Sequence, residues 1–171
     1  MILEFKNVEK SFGNKKVLKG VSFTAKSGVA NGYLGRNGSG KTTSFRILVD
    51  IFKPDKGEIL LDGKPLDHSK VKIGYLPEER GMYDGVGLVD QLTYFGMLKG
   101  MKKKAAQTEA KKWLEYFELE DNKQALKTLS KGNAQKIQII QSVMNDPDIL
   151  VFDEPFSGLD PVNVSKLKEI I

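Results

Sequence analysis

Gly35-Arg36-Asn37-Gly38-Ser39-Gly40-Lys41-Thr42 follows a short apolar run, Gly32 to Leu34, and opens a helix-like segment, Thr42 to Val49. The eight residues fit G-x-x-x-x-G-K-[ST], and the strand–loop–helix setting gives the match its meaning. Glycines let the loop wrap with its backbone N–H groups turned inward, and a helix N-terminus adds partial positive charge. The segment is therefore an anion cradle suited to phosphates. Lys41 adds a point charge, and the Thr42 hydroxyl a ligand for Mg²⁺. A second stretch, Ile149-Leu150-Val151-Phe152-Asp153-Glu154, is a continuous apolar run ending in two carboxylates. That is the pattern of a buried strand delivering acids to the carboxyl edge of a parallel sheet. Asp153 can help hold Mg²⁺, and Glu154 can polarise a water. An Asp-Glu pair says little by itself, since acids commonly end strands; with the loop it describes a nucleoside triphosphate site.

Composition narrows the class. A chain of 171 residues, 40% hydrophobic and 29% charged, has the length and balance of one globular domain with a sizeable core. No apolar run reaches the ~18 residues of a membrane span, and Met1-Ile2-Leu3-Glu4 does not read as a secretory leader, so a cytoplasmic location is expected. The absence of cysteine excludes disulfides and thiolate metal sites. His68, the only histidine, lies in polar Asp67-His68-Ser69-Lys70 and reads as a solvated loop residue. The net charge of +5 is mild. Lys99, Lys102, Lys103, Lys104, Lys111 and Lys112 gather near a helix start, where a solvated face is preferred over an anionic membrane surface. No aromatic residues interleave with them as a nucleic-acid stacking platform requires, so no nucleic-acid partner is expected.

Periodicity supplies the remaining elements. Ile2 to Val8 and Val17 to Thr24 read as strands joined by a turn at Phe12-Gly13-Asn14, and Glu58 to Leu61 as a third, suggesting a small β layer. Val71 to Leu76 reads as a strand ending at Pro77. Leu88, Val89, Leu92 and Phe95 keep helical spacing, as do Ala106, Ala110, Trp113, Leu114 and Phe117. A further helix starts near Ser130, carries Ile137, Ile140, Val143 and Met144 on one side, and ends at Asn145-Asp146-Pro147.

Between the helical middle and the acidic strand lies Leu129-Ser130-Lys131-Gly132-Asn133-Ala134-Gln135-Lys136, and after the strand Pro155-Phe156-Ser157-Gly158-Leu159-Asp160. In this order the chain resembles the ATP-binding subunit of an ABC transporter. The resemblance implies an α/β fold: a P-loop NTPase (RecA-like) core with a small antiparallel β layer and a helical subdomain at about 80–128, one ATP-binding domain over 1–171. It implies ATP and Mg²⁺ as ligands, with Gly35, Asn37, Gly38, Ser39, Gly40, Lys41, Thr42 and Thr43 around the nucleotide and Phe12 in the place of the adenine-stacking aromatic. Thr42 and Asp153 would hold the metal and Glu154 would act in hydrolysis. Two such domains would face head to tail, a two-fold arrangement in which Ser130, Gly132 and Asn133 reach ATP bound on the partner and Asp160 crosses the interface. From the residues alone, Ser130 serves equally well as an ordinary helix cap, and Phe12 as a core residue.

The chain departs from the common pattern at several places. Lys131 replaces the first glycine of Ser-Gly-Gly, Asn133 and Ala134 stand where glutamines are frequent, and Arg36 stands where proline is common. Glu78 takes the place of a usual glutamine, where its carboxylate can approach Mg²⁺ or the attacking water. The run Gly74-Tyr75-Leu76-Pro77-Glu78-Glu79-Arg80-Gly81 resembles a bacterial and archaeal exporter subgroup related to sodium or drug efflux ATPases. The resemblance further implies a transmembrane permease subunit contacted near Glu78 and the helical middle, and a peripheral position on the inner face of the cell membrane. It also implies a strand and switch histidine beyond Ile171, the strand lying between those of the phosphate loop and the acidic motif, so the fold is expected to be incomplete at its C-terminus. Two other readings stand beside the exporter ATPase: a soluble ATP-driven clamp acting on ribosome or nucleic acid, and a fragment that binds nucleotide with little turnover.

Overall fold

The computed structural model describes residues 1–79, 81–83, 85–119 and 129–171. Arg80 and the 120–128 portion of the expected helical subdomain lie outside the described residues. The chain divides into two compact units, 1–71 and 72–171.

The first unit is built on β1 (Ile2–Phe12), β2 (Lys15–Lys26), β3 (Lys56–Leu61) and β4 (Lys64–Pro65), an antiparallel sheet in the order β2-β1-β3-β4. Phe12 pairs with Lys15, leaving Gly13-Asn14 as a two-residue hairpin loop, so both strands run further than their apolar centres suggest. Leu3 and Phe5 alternate inward, but Val8 breaks the parity and is still fully buried. A register shift between Phe5 and Val8, with Asn7 at φ 50°, accounts for this: an extra residue bulges out and returns the next apolar side chain to the core. The helix α1 (Lys41–Leu48) buries Ile47 and Leu48.

Residues 32–34 are not a strand, contrary to the sequence expectation: they pair with no strand among the described residues, and Leu34 is 94% exposed. A strand is stabilised by its neighbours' hydrogen bonds, and three apolar residues without a paired neighbour have no ladder to join. Tyr33 is held by rings instead, its centroid 5.0 Å from Phe23 and 5.7 Å from Phe45 of α1, with Phe23 stacked on Phe5.

The second unit pairs β5 (Ile73–Leu76) and β6 (Ile149–Phe152) in parallel, with Leu76 beside Phe152. Around them stand α2 (Leu88–Leu98), α3 (Lys103–Tyr116), α4 (Lys131–Val143) and α5 (Pro161–Ile170). Leu88, Leu92, Ala106, Ala110, Leu114 and Phe117 form the expected apolar stripe and meet α4 in the core. That helix departs from the one-sided pattern read from sequence. Its Ala134, Gln135, Ile137, Gln138, Ile139, Ile140, Ser142 and Val143 are all buried, because strand and helices enclose it. Gly74 lets β5 approach it: a Cβ there would sit 2.2 Å from the Ser142 carbonyl oxygen. Lys99 likewise leaves the solvated lysine face assigned to it. It is part-buried, its ammonium donates to the Gln141 carbonyl at 2.8 Å, and burial pushes its pKa below the ordinary lysine value. Among the described residues, no helix is long and apolar enough to cross a membrane.

Candidate active site

The phosphate loop lies in the first unit. Gly40 is the N-cap of α1, with φ 96° and no side chain capping the helix, so the first-turn N–H groups are left to a ligand. A side chain at this position is excluded twice, by the left-handed backbone and by Leu18, whose Cδ2 would lie 2.5 Å from a Cβ. Gly35 is restricted by the loop itself, since a Cβ would meet Ser39 Oγ at 2.6 Å. The Lys41 ammonium folds over the loop, donating to the carbonyls of Gly35 at 2.9 Å and Arg36 at 3.2 Å. A turn from Ser39 N–H to the Arg36 carbonyl closes the segment around Asn37 and Gly38. No acidic residue occupies the first turn of α1 to oppose an anion. Thr42 and Thr43 are half-buried at the same helix start, while Ser44 turns inward and donates to the Gly40 carbonyl at 3.1 Å. Phe12 is not a core residue: 44% exposed, it packs edge-on against Phe52 at 5.2 Å, with the Lys10 ammonium 5.7 Å from its ring centroid. His68, although exposed, is less free than its polar surroundings suggest. Its Nε2 lies 2.8 Å from the Leu48 carbonyl at the end of α1, where an imidazole N–H satisfies an orphan acceptor.

The acidic residues lie in the second unit. The Asp153 N–H donates to the Leu76 carbonyl at 2.9 Å, extending the parallel pairing by one bond and carrying Asp153 and Glu154 out of the carboxyl end of β6. Glu78 leaves the carboxyl end of β5, so the three carboxylates share one edge, the usual ligand edge of a parallel sheet. Asp153 is 3% exposed, and its Oδ2 has no hydrogen-bond partner among the described residues. A buried carboxylate oxygen left without a donor is costly, and it fits a hard cation. Among the described residues there is no cluster of three or more His, Asp or Glu side chains. Glu154 is exposed and has φ 53°. Glu118 shares that conformation for an ordinary reason. It follows α3, and Leu119 N–H reaches back to the Leu114 carbonyl at 2.9 Å in a helix-ending turn. Glu154 follows a strand and has no such cause.

The start of α4 packs against the loop that follows β6. Ser130 is its N-cap, and the hydroxyl oxygen accepts from Asn133 N–H at 3.2 Å, which is the capping role. The hydroxyl proton is left over and can be donated outward. Asn133 thus spends its backbone N–H on the cap, and its side chain is what it can offer a ligand. Gly132 is required by close approach, because a Cβ would lie 2.8 Å from the Gly158 carbonyl oxygen. The stem of Lys131 packs over Gly158 from the other side. Ala134 takes no part in the surface; it is 1% exposed and packs in the core. Asp160 caps α5, accepting from the N–H and side-chain amide of Asn163, and these hydrogen bonds hold its carboxyl below the usual range. The sequence reading does not single out Gln135 and Gln138, which are buried on α4 and reach loop carbonyls. Glutamine at helical spacing within an apolar segment is the signal that marks them.

An open phosphate loop on a helix N-terminus, with acids at the carboxyl edge of a parallel pair, defines the class of P-loop nucleotide-binding proteins. The sequence profile described as "ABC transporter" matches residues 18–157, and the chain belongs to that family. It is 45% identical over 172 residues to the uncharacterized ABC transporter ATP-binding protein YhaQ of Bacillus subtilis, covering 99% of this chain and 58% of that protein. It is 38% identical to the Nod factor export ATP-binding protein I of Burkholderia lata, covering 93% of this chain and 54% of that protein. A solved dimeric ATP-binding cassette in a post-hydrolysis state with ADP and Pi superposes with a TM-score of 0.84 at 25% identity, over 98% of this chain and 80% of that one. The chain spans between 52% and 62% of the length of the first curated relatives it matches.

Proposed function

We propose that this chain forms the ATP-hydrolysing part of an ABC exporter and works as one of a head-to-tail pair. The observation that carries the reading is the end of β6, where Asp153 is buried with an unpartnered carboxylate oxygen and Glu154 stands exposed beside it at positive φ.

In this reading the N–H groups from Gly38 to Thr42, with Gly35, Asn37, Ser39 and Thr43 around them, bind the phosphates and Lys41 compensates their charge. Phe12, exposed at the end of β1, would stack on adenine. The Thr42 hydroxyl, Asp153 and Glu78 would each serve as a ligand to Mg²⁺, and the bound ion would neutralise charge on the phosphate oxygens. Glu154 accepts a hydrogen bond from a water and aims it at the γ-phosphorus. The new bond joins that water's oxygen to phosphorus, the bond to the β–γ bridging oxygen breaks, and ADP and phosphate leave. The Ser130 O–H, Gly132 and the Asn133 side chain would donate to the γ-phosphate held by the second subunit, with Asp160 at the interface between them. Similarity to Nod factor export proteins supports export as the direction. A membrane permease is the implied partner, at the inner face of the cell membrane.

The test is Glu154→Gln in the full-length protein. ATP should drive it into a dimer seen by light scattering while turnover is lost. A variant that stays monomeric with ATP and turns over at the parent rate overturns the reading.

A further inference from the structure

Two buried glutamines of α4 are unexplained by anything above. Gln135 is 8% exposed and Gln138 2% exposed. They are three residues apart on one helix and therefore neighbours on one face. Gln135 Nε2 donates to the Pro155 carbonyl at 3.4 Å, and Gln138 Nε2 donates to the Glu79 carbonyl at 3.5 Å.

The two acceptors are equivalent positions. Leu76 pairs with Phe152, so Glu78 and Glu154 each stand two residues beyond the paired strand ends, and Glu79 and Pro155 each stand one further. The glutamine pair thus grips the backbone immediately after each of the two exposed carboxylates. A buried amide is an expensive choice where leucine would pack, and the Gln138 Oε1 is left without a partner. A local rule broken without a packing gain points to function.

We propose that Gln135 and Gln138 are positioning residues, which hold Glu154 and Glu78 in catalytic orientation by tethering the loops behind them to α4. Both bonds lie at the long end of the hydrogen-bond range. The same helix begins at Ser130 and Gly132, so α4 is a rigid link between the residues that would touch the partner's γ-phosphate and the carboxylates of its own chain. Through it, ATP engaged at one site sets the water-orienting group of the other. This inference rests on the proposed role of Glu154.

The test uses the full-length protein with Gln135→Met and Gln138→Met, which keep side-chain length and remove the donor, beside Glu154→Gln. Each methionine variant should lower kcat about tenfold or more, as small misplacements of catalytic groups do, while KM for ATP stays within about twofold. Their melting temperatures should not fall, since methionine packs well in an apolar core. Unchanged kcat in both methionine variants, when Glu154→Gln is inactive, overturns the proposal and leaves the Glu154 reading standing. A kcat loss that tracks a fall in melting temperature of more than ~5 °C, or a matching rise in KM, also overturns it by assigning the pair to packing or binding. Parent-level turnover in Glu154→Gln removes the reading beneath it, whatever the methionine variants do.

Discussion

Replacing Glu154 by glycine should separate stability from activity, because the backbone and the side chain of this residue serve opposite ends. At φ 53° a non-glycine residue crowds its own Cβ against the following carbonyl, at a cost of roughly 1–2 kcal/mol. Glycine removes that clash but loses more backbone freedom on folding, by roughly 0.5–1 kcal/mol. The difference leaves Glu154→Gly between neutral and about 1.5 kcal/mol more stable. For a chain of 171 residues that corresponds to a melting temperature raised by ~0–6 °C. Among the described residues the exposed carboxylate has no hydrogen bond or ion pair of its own to lose, and the Ser157 N–H bond to the Glu154 carbonyl is made by backbone alone. Glu154→Gln keeps the strained backbone and should melt with the parent. Turnover should nevertheless collapse in both, by ~100-fold or more, as expected when a group acting in the transition state is removed. Scanning calorimetry and phosphate release on the same full-length preparations make the comparison. A glycine variant that melts several degrees below the parent would show that the side chain supports the fold. One that keeps its turnover would show that the carboxylate is not catalytic.

Other substitutions test the surrounding reading. Lys41→Ala should weaken Mg²⁺-ATP binding by ~10- to 100-fold in calorimetry, the range of one charged hydrogen bond, with equal affinities refuting the phosphate-loop assignment. Its effect on the nucleotide-free melting temperature should be small, since the two carbonyl contacts of Lys41 are exposed. Phe12→Ala should weaken ATP and GTP alike by ~5- to 100-fold, because stacking does not distinguish purine edges; an effect on ATP alone would mean another kind of contact. Lys99→Met tests pH dependence. The folded pKa of Lys99 is lowered by burial, so between it and the ordinary lysine value the unfolded chain binds the extra proton and stability rises with pH. The parent should therefore gain on Lys99→Met as pH climbs through the alkaline range in paired melting curves, and parallel curves would refute it.

What the sequence discloses divides along physical lines. The phosphate loop and its helix were legible because their chemistry is local: glycines at fixed spacing, a lysine and a hydroxyl on consecutive residues. The apolar stripes of α2 and α3 were legible because their period is. The run 32–34 was misread as a strand because strand identity depends on a neighbour, which three apolar residues cannot supply. Ala134 stood out in sequence only as a departure from a frequent glutamine, whereas packing turns it into the core.

The glutamines of α4 show the deeper limit. In sequence, nothing singles out Gln135 and Gln138. They are buried only because α4 is enclosed on most sides, and their partners are backbone carbonyls, which carry no signature in the residue types of Glu79 and Pro155. A motif reports the groups that touch a substrate, since chemistry restricts which residue types can serve there. The groups that aim them are restricted by geometry alone, so they become visible only once the parallel pairing of Leu76 with Phe152 places Glu78 and Glu154 at matching positions above one helix.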